Sequence, residues 1–136
     1  MLYARIYQIN PERDDNHLLG LNSMSISRKF GSFIVLSAYY DLVYDDPIPD
    51  AESIRDIIKF FDHNVPNGYK GRNIISSDVI EIIQVDYPTI EGFYFIDGLE
   101  IRVLESFNVN ATRNAITSRN ANMLDPCKYH PGNMEE

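Results

Sequence analysis

Cysteine occurs once in this chain, at Cys127, tryptophan does not occur, and apolar runs never exceed a few residues. A lone thiol excludes an intramolecular disulfide framework and suits a reducing compartment. The short runs exclude a membrane-spanning helix, which needs about 20 apolar residues. The opening MLYARIYQIN has no basic segment ahead of a long apolar stretch, so no secretory signal is expected and a cytoplasmic location is. Without export, the glycosylation-like Asn110-Ala111-Thr112 reads as accidental.

Chemical motifs are scarce too. His17, His63 and His130 lie far apart with no metal-ligand spacing, so neither a metal nor another cofactor is expected. Gly68-Tyr69-Lys70-Gly71 leads into a strand rather than opening a helix, which argues against a phosphate cradle. Ser76-Ser77-Asp78 sets hydroxyls beside a carboxylate, but no strand–Ser–helix elbow surrounds them and no histidine follows nearby. Capping of local backbone is the simpler role for those three. No cationic cluster marks Cys127 as an activated thiol. No catalytic residue is nominated, and the chain is expected not to be an enzyme.

What is present is a core and an uneven charge. The 136 residues, 44% hydrophobic, are enough for one ordinary domain with a buried interior. The net charge of −8 is concentrated in the middle: residues 41–108 carry 5 Lys and Arg against 14 Asp and Glu. Such a segment repels phosphate, so direct nucleic-acid binding is disfavoured, whereas a basic protein groove would attract it.

Leu2–Ile9 alternates with a period of two and predicts a strand, ended by Asn10-Pro11. His17–Phe30 follows no single period, although Asn22 or Ser23 is placed to cap a short helix to Lys29, with Gly31 as its stop. After the apolar run Phe33–Leu36, Tyr39–Tyr44 reads as a strand. Strict alternation there puts Tyr40, Leu42 and Tyr44 on one face and Asp41, Val43 and Asp45 on the other, with Pro47 and Pro49 breaking the ladder. Asp50 is the expected N-cap of a helix over Ala51–Asp62. Its stripe of Ile54, Ile57, Ile58 and Phe61 opposes Glu52, Arg55, Asp56 and Lys59. Pro66, Gly68 and Gly71 stop that helix, and Ser76–Asp78 turn the chain into a strand at Val79–Ile83. Asp97-Gly98 between Gly92–Ile96 and Leu99–Leu104 signals a hairpin. The expected fold class is therefore α+β: a four- or five-stranded antiparallel or mixed sheet with one main amphipathic helix on one face. Residues 1–108 form the domain. Residues 109–136 form a polar tail, either a marginal helix at 111–123 or a loosely attached segment.

One cluster stands out within that frame. Asp41, Asp45, Asp46, Asp50, Glu52 and Asp56 fall within sixteen residues, offset only by Arg55. As a solvated edge they deter strand-to-strand aggregation. As a surface they can dock on a basic groove, and they are the candidate partner-binding residues. No D-x-D-x-D-G loop supports calcium.

Several segments, in order, resemble the YodL-like domain of bacterial mobile genetic elements. They are Tyr3–Gln8 (YARIYQ), Tyr40–Tyr44 (YDLVY), Phe61 with Pro66, Tyr69-Lys70-Gly71, Ser77-Asp78-Val79-Ile80, and the Gly92–Glu105 hairpin with Tyr94, Asp97 and Phe107. Coverage is roughly residues 3–107, with departures at Asn73–Ser76 and in the loop 63–68. The resemblance implies a small accessory domain of conjugative elements, plasmids or phages, of a kind suspected in conflicts with host defences. Joined to the acidic segment, it suggests a non-catalytic module that binds a basic protein surface. The partner expected is a nucleic-acid-binding defence nuclease, inhibited in anti-CRISPR or antirestriction fashion. The alternative is a structural or regulatory accessory protein of conjugation or replication, acting as a homodimer or larger homo-oligomer.

Overall fold

The computed structural model describes residues 2–63, 69, 71–83 and 90–112. Its frame is a five-stranded sheet in which every pairing is antiparallel. Strand β1 (Leu2–Ile9) lies between β2 (Tyr40–Ile48) and β3 (Val79–Ile83). Strands β4 (Gly92–Asp97) and β5 (Glu100–Leu104) extend the sheet beyond β3, giving the order β2-β1-β3-β4-β5. The expected α+β class therefore holds, and β2 and β5 are its two edges.

Among the described residues two helices pack on this sheet rather than one. Helix α2 (Ile54–His63) covers one face, where its Ile57 and Phe61 meet Leu2, Ala4 and Ile6 of β1, Ile80 and Ile82 of β3, and Ile96 of β4. Each such fully buried side chain contributes about 1.5–3 kcal/mol before entropy is subtracted. Ile58 is only partly buried, so the inner line of the stripe runs through Ile57 and Phe61. Helix α1 (Ser23–Phe30) belongs to the opposite face: Ile26 joins Tyr7, Ile9, Val79, Phe95 and Phe107 in a second cluster. Its ends follow the expected chemistry. The Asn22 side chain accepts from the Ser25 N–H at 2.9 Å, and Gly31, at φ 82°, closes the helix with an N–H to the Ser27 carbonyl at 2.7 Å. The ring of Phe107 stacks 4.9 Å from Tyr7 and 5.2 Å from Tyr40, fixing the chain that leaves β5.

Four expectations are corrected. The β1–β2 ladder carries a bulge: Ile6 faces Tyr44 but Tyr7 faces Leu42, leaving Val43 as the extra residue. Alternation fails there, and Tyr44 turns to the α2 face, its ring 5.0 Å from Phe61, while Leu42 lies on the face of Tyr7. Pro47 does not end β2, which continues to Ile48, because an edge strand tolerates a residue with no backbone donor. Helix α2 starts at Ile54 rather than 51. Ser53 Oγ accepts the Asp56 N–H at 3.2 Å and Asp56 accepts the Glu52 N–H at 3.0 Å, so Ser53 takes the capping place expected of Asp50. The hairpin turns on Gly98-Leu99, one residue later than Asp97-Gly98, with Gly98 alone of the pair at positive φ.

Residues 109–112 begin a helical turn held by the Thr112 hydroxyl, which donates to the Ser37 carbonyl at 2.7 Å. The remainder of the expected 111–123 helix and 109–136 tail lies outside the described residues, as do Pro66, Gly68, Cys127 and His130.

Candidate partner-binding surface

Of the six carboxylates, Asp41, Asp45 and Asp46 lie on edge strand β2, Asp50 and Glu52 in the connection to α2 and Asp56 in its first turn, and they do not form one face. Asp45 pairs across the ladder with Arg5 and Asp41 with Gln8, and those two β1 residues point to opposite sides. The bulge at Val43 separates what strict alternation would have kept together.

Three of the six are occupied internally. Asp41 accepts from Arg13 Nη2 at 2.8 Å and from the Asn10 amide at 2.8 Å. Arg13 is itself buried, with Nε on the Ala38 carbonyl and Nη2 also on that of Tyr40, so Asp41 balances a cation inside the fold. Asp45 bonds Arg5 Nε at 3.2 Å, and Arg5 reaches on to Glu81 at 3.5 Å. Asp56 caps α2; the Glu52 N–H is the main cause that holds its carboxyl below the ordinary value, with Ser53 assisting.

Asp46, Asp50 and Glu52 remain exposed, and among the described residues no cation lies within salt-bridge distance of them. Asp50 occupies the turn after β2 with φ 65°, a conformation aspartate accepts better than most residues. Beside it a groove of about 360 Å³ is lined by Ile48, Pro49, Asp50, Asp56, Lys59 and Phe60. It combines apolar walls with two carboxylates and one ammonium group.

A second polar cluster was not apparent from residue spacing. Asp78 has no exposed surface, and its carboxylate accepts from Arg72 Nη2 at 3.1 Å, the Gln8 amide at 3.0 Å and the Ile75 N–H at 2.9 Å. Burial pushes its carboxyl up to about 7, against the opposing pull of Ile75, Arg72 and Gln8. Gln8 Oε1 accepts the Arg72 N–H, and its Nε2 also donates to the Arg72 carbonyl, which the Tyr69 hydroxyl reaches at 2.7 Å. Burial raises the Tyr69 hydroxyl to about 12 and that of Tyr40, which donates to the Ser77 carbonyl at 2.7 Å, far above its usual range. Gly71 sits so close that a Cβ there would overlap the Tyr69 hydroxyl and Gln8 Oε1. With Asp78 sealed from solvent, this cluster ties Tyr69 and residues 71–78 to β1. The one available signal was Arg72 six residues before an acid adjoining a strand.

Among the described residues no three His, Cys, Asp or Glu side chains gather as a metal site, and no helix is long and apolar enough to cross a membrane.

Gln8, Tyr40, Tyr69, Gly71, Ser77 and Asp78, drawn from four of the segments that carry the resemblance, thus meet in one lock. The model of the YodL-like domain family matches residues 3–107. The chain belongs to the YodL-like domain family. Neither the curated proteins nor the solved structures include a match to this chain.

Proposed function

We propose that this YodL-like domain is a non-catalytic protein-binding module whose acidic margin docks on a basic surface of its partner. The observation that carries the reading is the row of exposed carboxylates Asp46, Asp50 and Glu52 at one sheet edge, with no described cation paired to them. The adjacent groove offers Pro49 and Phe60 to an aliphatic stem and Asp50 to a charged head, with Lys59 on its wall and Asp56 held by the helix cap. A nucleic-acid-binding protein offers such a surface. We accordingly propose a mobile-element inhibitor of a host-defence nuclease, of anti-CRISPR or antirestriction type, acting in the cytoplasm. Asp41 and Asp56 serve the fold, so the binding set narrows to Asp46, Asp50 and Glu52, with Asp45 partly engaged by Arg5.

The test begins with capture of a partner from host lysate and continues with association rates for the parent and a D46N/D50N/E52Q variant across a salt series. The variant should associate about tenfold or more slowly at low ionic strength and converge with the parent as salt screens the charges. Equal rates at every salt concentration would return these carboxylates to the role of solvated edge.

A further inference from the structure

The opposite edge of the sheet is built differently. On β2 the outer strand carries Asp41, Asp45, Asp46 and Pro47, all of which discourage pairing with another strand. On β5 it carries Ile101 and Val103, follows Leu99, and has only Glu100 and Arg102 for charge. Val103 is 67% exposed and Leu99 92%. Among the described residues no backbone hydrogen bond reaches the outer side of β5, and a groove of about 580 Å³ is lined by residues 33–37 and 102–106. Because Asp97 and Glu100 close a two-residue turn, the N–H and C=O groups of Glu100, Arg102 and Leu104 point toward β4. Those of Ile101 and Val103 point outward.

We infer that the occupant of this edge is a second copy of the chain, paired β5 to β5 antiparallel about Ile101 to give one continuous ten-stranded sheet. The register follows from the charges. With Ile101 opposite Ile101 of the second copy, each Glu100 stands opposite an Arg102 and each Leu99 opposite a Val103. The outward-pointing Ile101 groups exchange both hydrogen bonds. Glu100 and Arg102 fall at the non-hydrogen-bonded positions, where side chains lie closest. A shift of the pairing centre to Arg102 sets two guanidinium groups against each other, and a shift to Val103 sets Ile101 against Glu105. Within one chain no described carboxylate lies within salt-bridge distance of Arg102, whose guanidinium rests 4.1 Å from the Phe33 ring centre. The dimer supplies the missing carboxylate. This edge lies across the sheet from the acidic margin, so the inference stands independently of the proposed partner.

Sedimentation velocity of the full chain from about 1 to several hundred micromolar, at about 0.15 M salt, reads the result directly. The parent should show a monomer–dimer equilibrium. Arg102→Glu, which sets Glu against Glu twice per dimer, should weaken Kd about tenfold or more, and so should Glu100→Arg. The double variant E100R/R102E restores both pairs and should recover the dimer, and an equimolar mixture of the two single variants should form a heterodimer. Thermal midpoints of each variant separate lost folding from lost pairing, and the mixture remains informative where one single variant is destabilised. A parent that stays monomeric throughout, or a dimer indifferent to all these charge changes, overturns the assignment.

Discussion

Asp78 offers the sharpest test of how this fold is held together. Its carboxylate is fully enclosed and faces three donors, Arg72 Nη2, the Gln8 amide and the Ile75 N–H, all within 3.1 Å. Two effects compete. Enclosure favours the neutral acid, and the donors favour the anion. Burial is the larger cause, and the carboxyl titrates near 7 against an ordinary 3.8. A folded-state value above the unfolded one means that the native state holds the proton more tightly between those two limits. The stability this group contributes is therefore complete below 3.8 and is lost as pH rises toward about 7. The slope is at most about 1.4 kcal/mol per pH unit, and the whole change is on the order of 4 kcal/mol.

Urea unfolding of the parent and of Asp78→Asn, from about pH 4.5 to 7.5, isolates the effect, since other carboxylates such as Asp56 contribute equally to both proteins and cancel. The parent should lose stability relative to the asparagine variant as pH rises, and the difference should level off above about 7. Asp78→Ala, measured at neutral pH, should cost several kcal/mol, somewhat less than the roughly 3–5 expected for a wholly buried pair. Arg72 retains 34% of its side-chain surface in solvent and can rehydrate. A parent–asparagine difference that stays flat or grows with pH would refute the reasoning. The three donors would then outweigh enclosure, and Asp78 would be an ordinary ionised partner of Arg72.

Two further outcomes are expected from packing. Phe61→Ala should lower stability by about 3–5 kcal/mol in denaturant titration, because the ring is buried against β1 and touches Tyr44 and Tyr69; a cost under 1 kcal/mol would mean that the α2 face is not packed as described. Gly71→Ala should cost about 1–3 kcal/mol by the same assay, because the added methyl displaces either the Tyr69 hydroxyl or Gln8 Oε1 from the lock; an unchanged midpoint would show that the 69–78 loop can yield there.

Much of this architecture was legible where a local pattern decides the outcome. The period-two text of β1, the amphipathic stripe that becomes α2, and the caps at Asn22 and Gly31 are each written within one segment. What could not be read depends on a neighbour. The bulge at Val43 is a property of two strands in register, and it alone decides that Asp41 and Asp45 part company. Pro47 reads as a breaker until the strand order places β2 at an edge. Asp41 reads as surface charge until Arg13, 28 residues earlier, is found buried beneath it. The Gln8–Asp78 bond spans 70 residues, and no spacing rule reaches that far.

The strand order also explains why the two edges differ. A chain that places its first strand inside a sheet must leave two later strands at the rims, here β2 and β5, whose outer backbone groups pair with no other strand among the described residues. On β2 those groups are flanked by Asp41, Asp45, Asp46 and Pro47, and Asp46 also belongs to the proposed docking set, so that one residue would serve both protection and recognition. On β5 no such guard is present; instead Glu100 and Arg102 stand two apart on one face, with Ile101 and Val103 on the other. That spacing is self-complementary only when the strand meets an antiparallel copy of itself, and a lone edge has no evident use for it. A sheet with one rim that excludes strands and one that matches its own copy can bind a partner and pair with itself without competition between the two contacts.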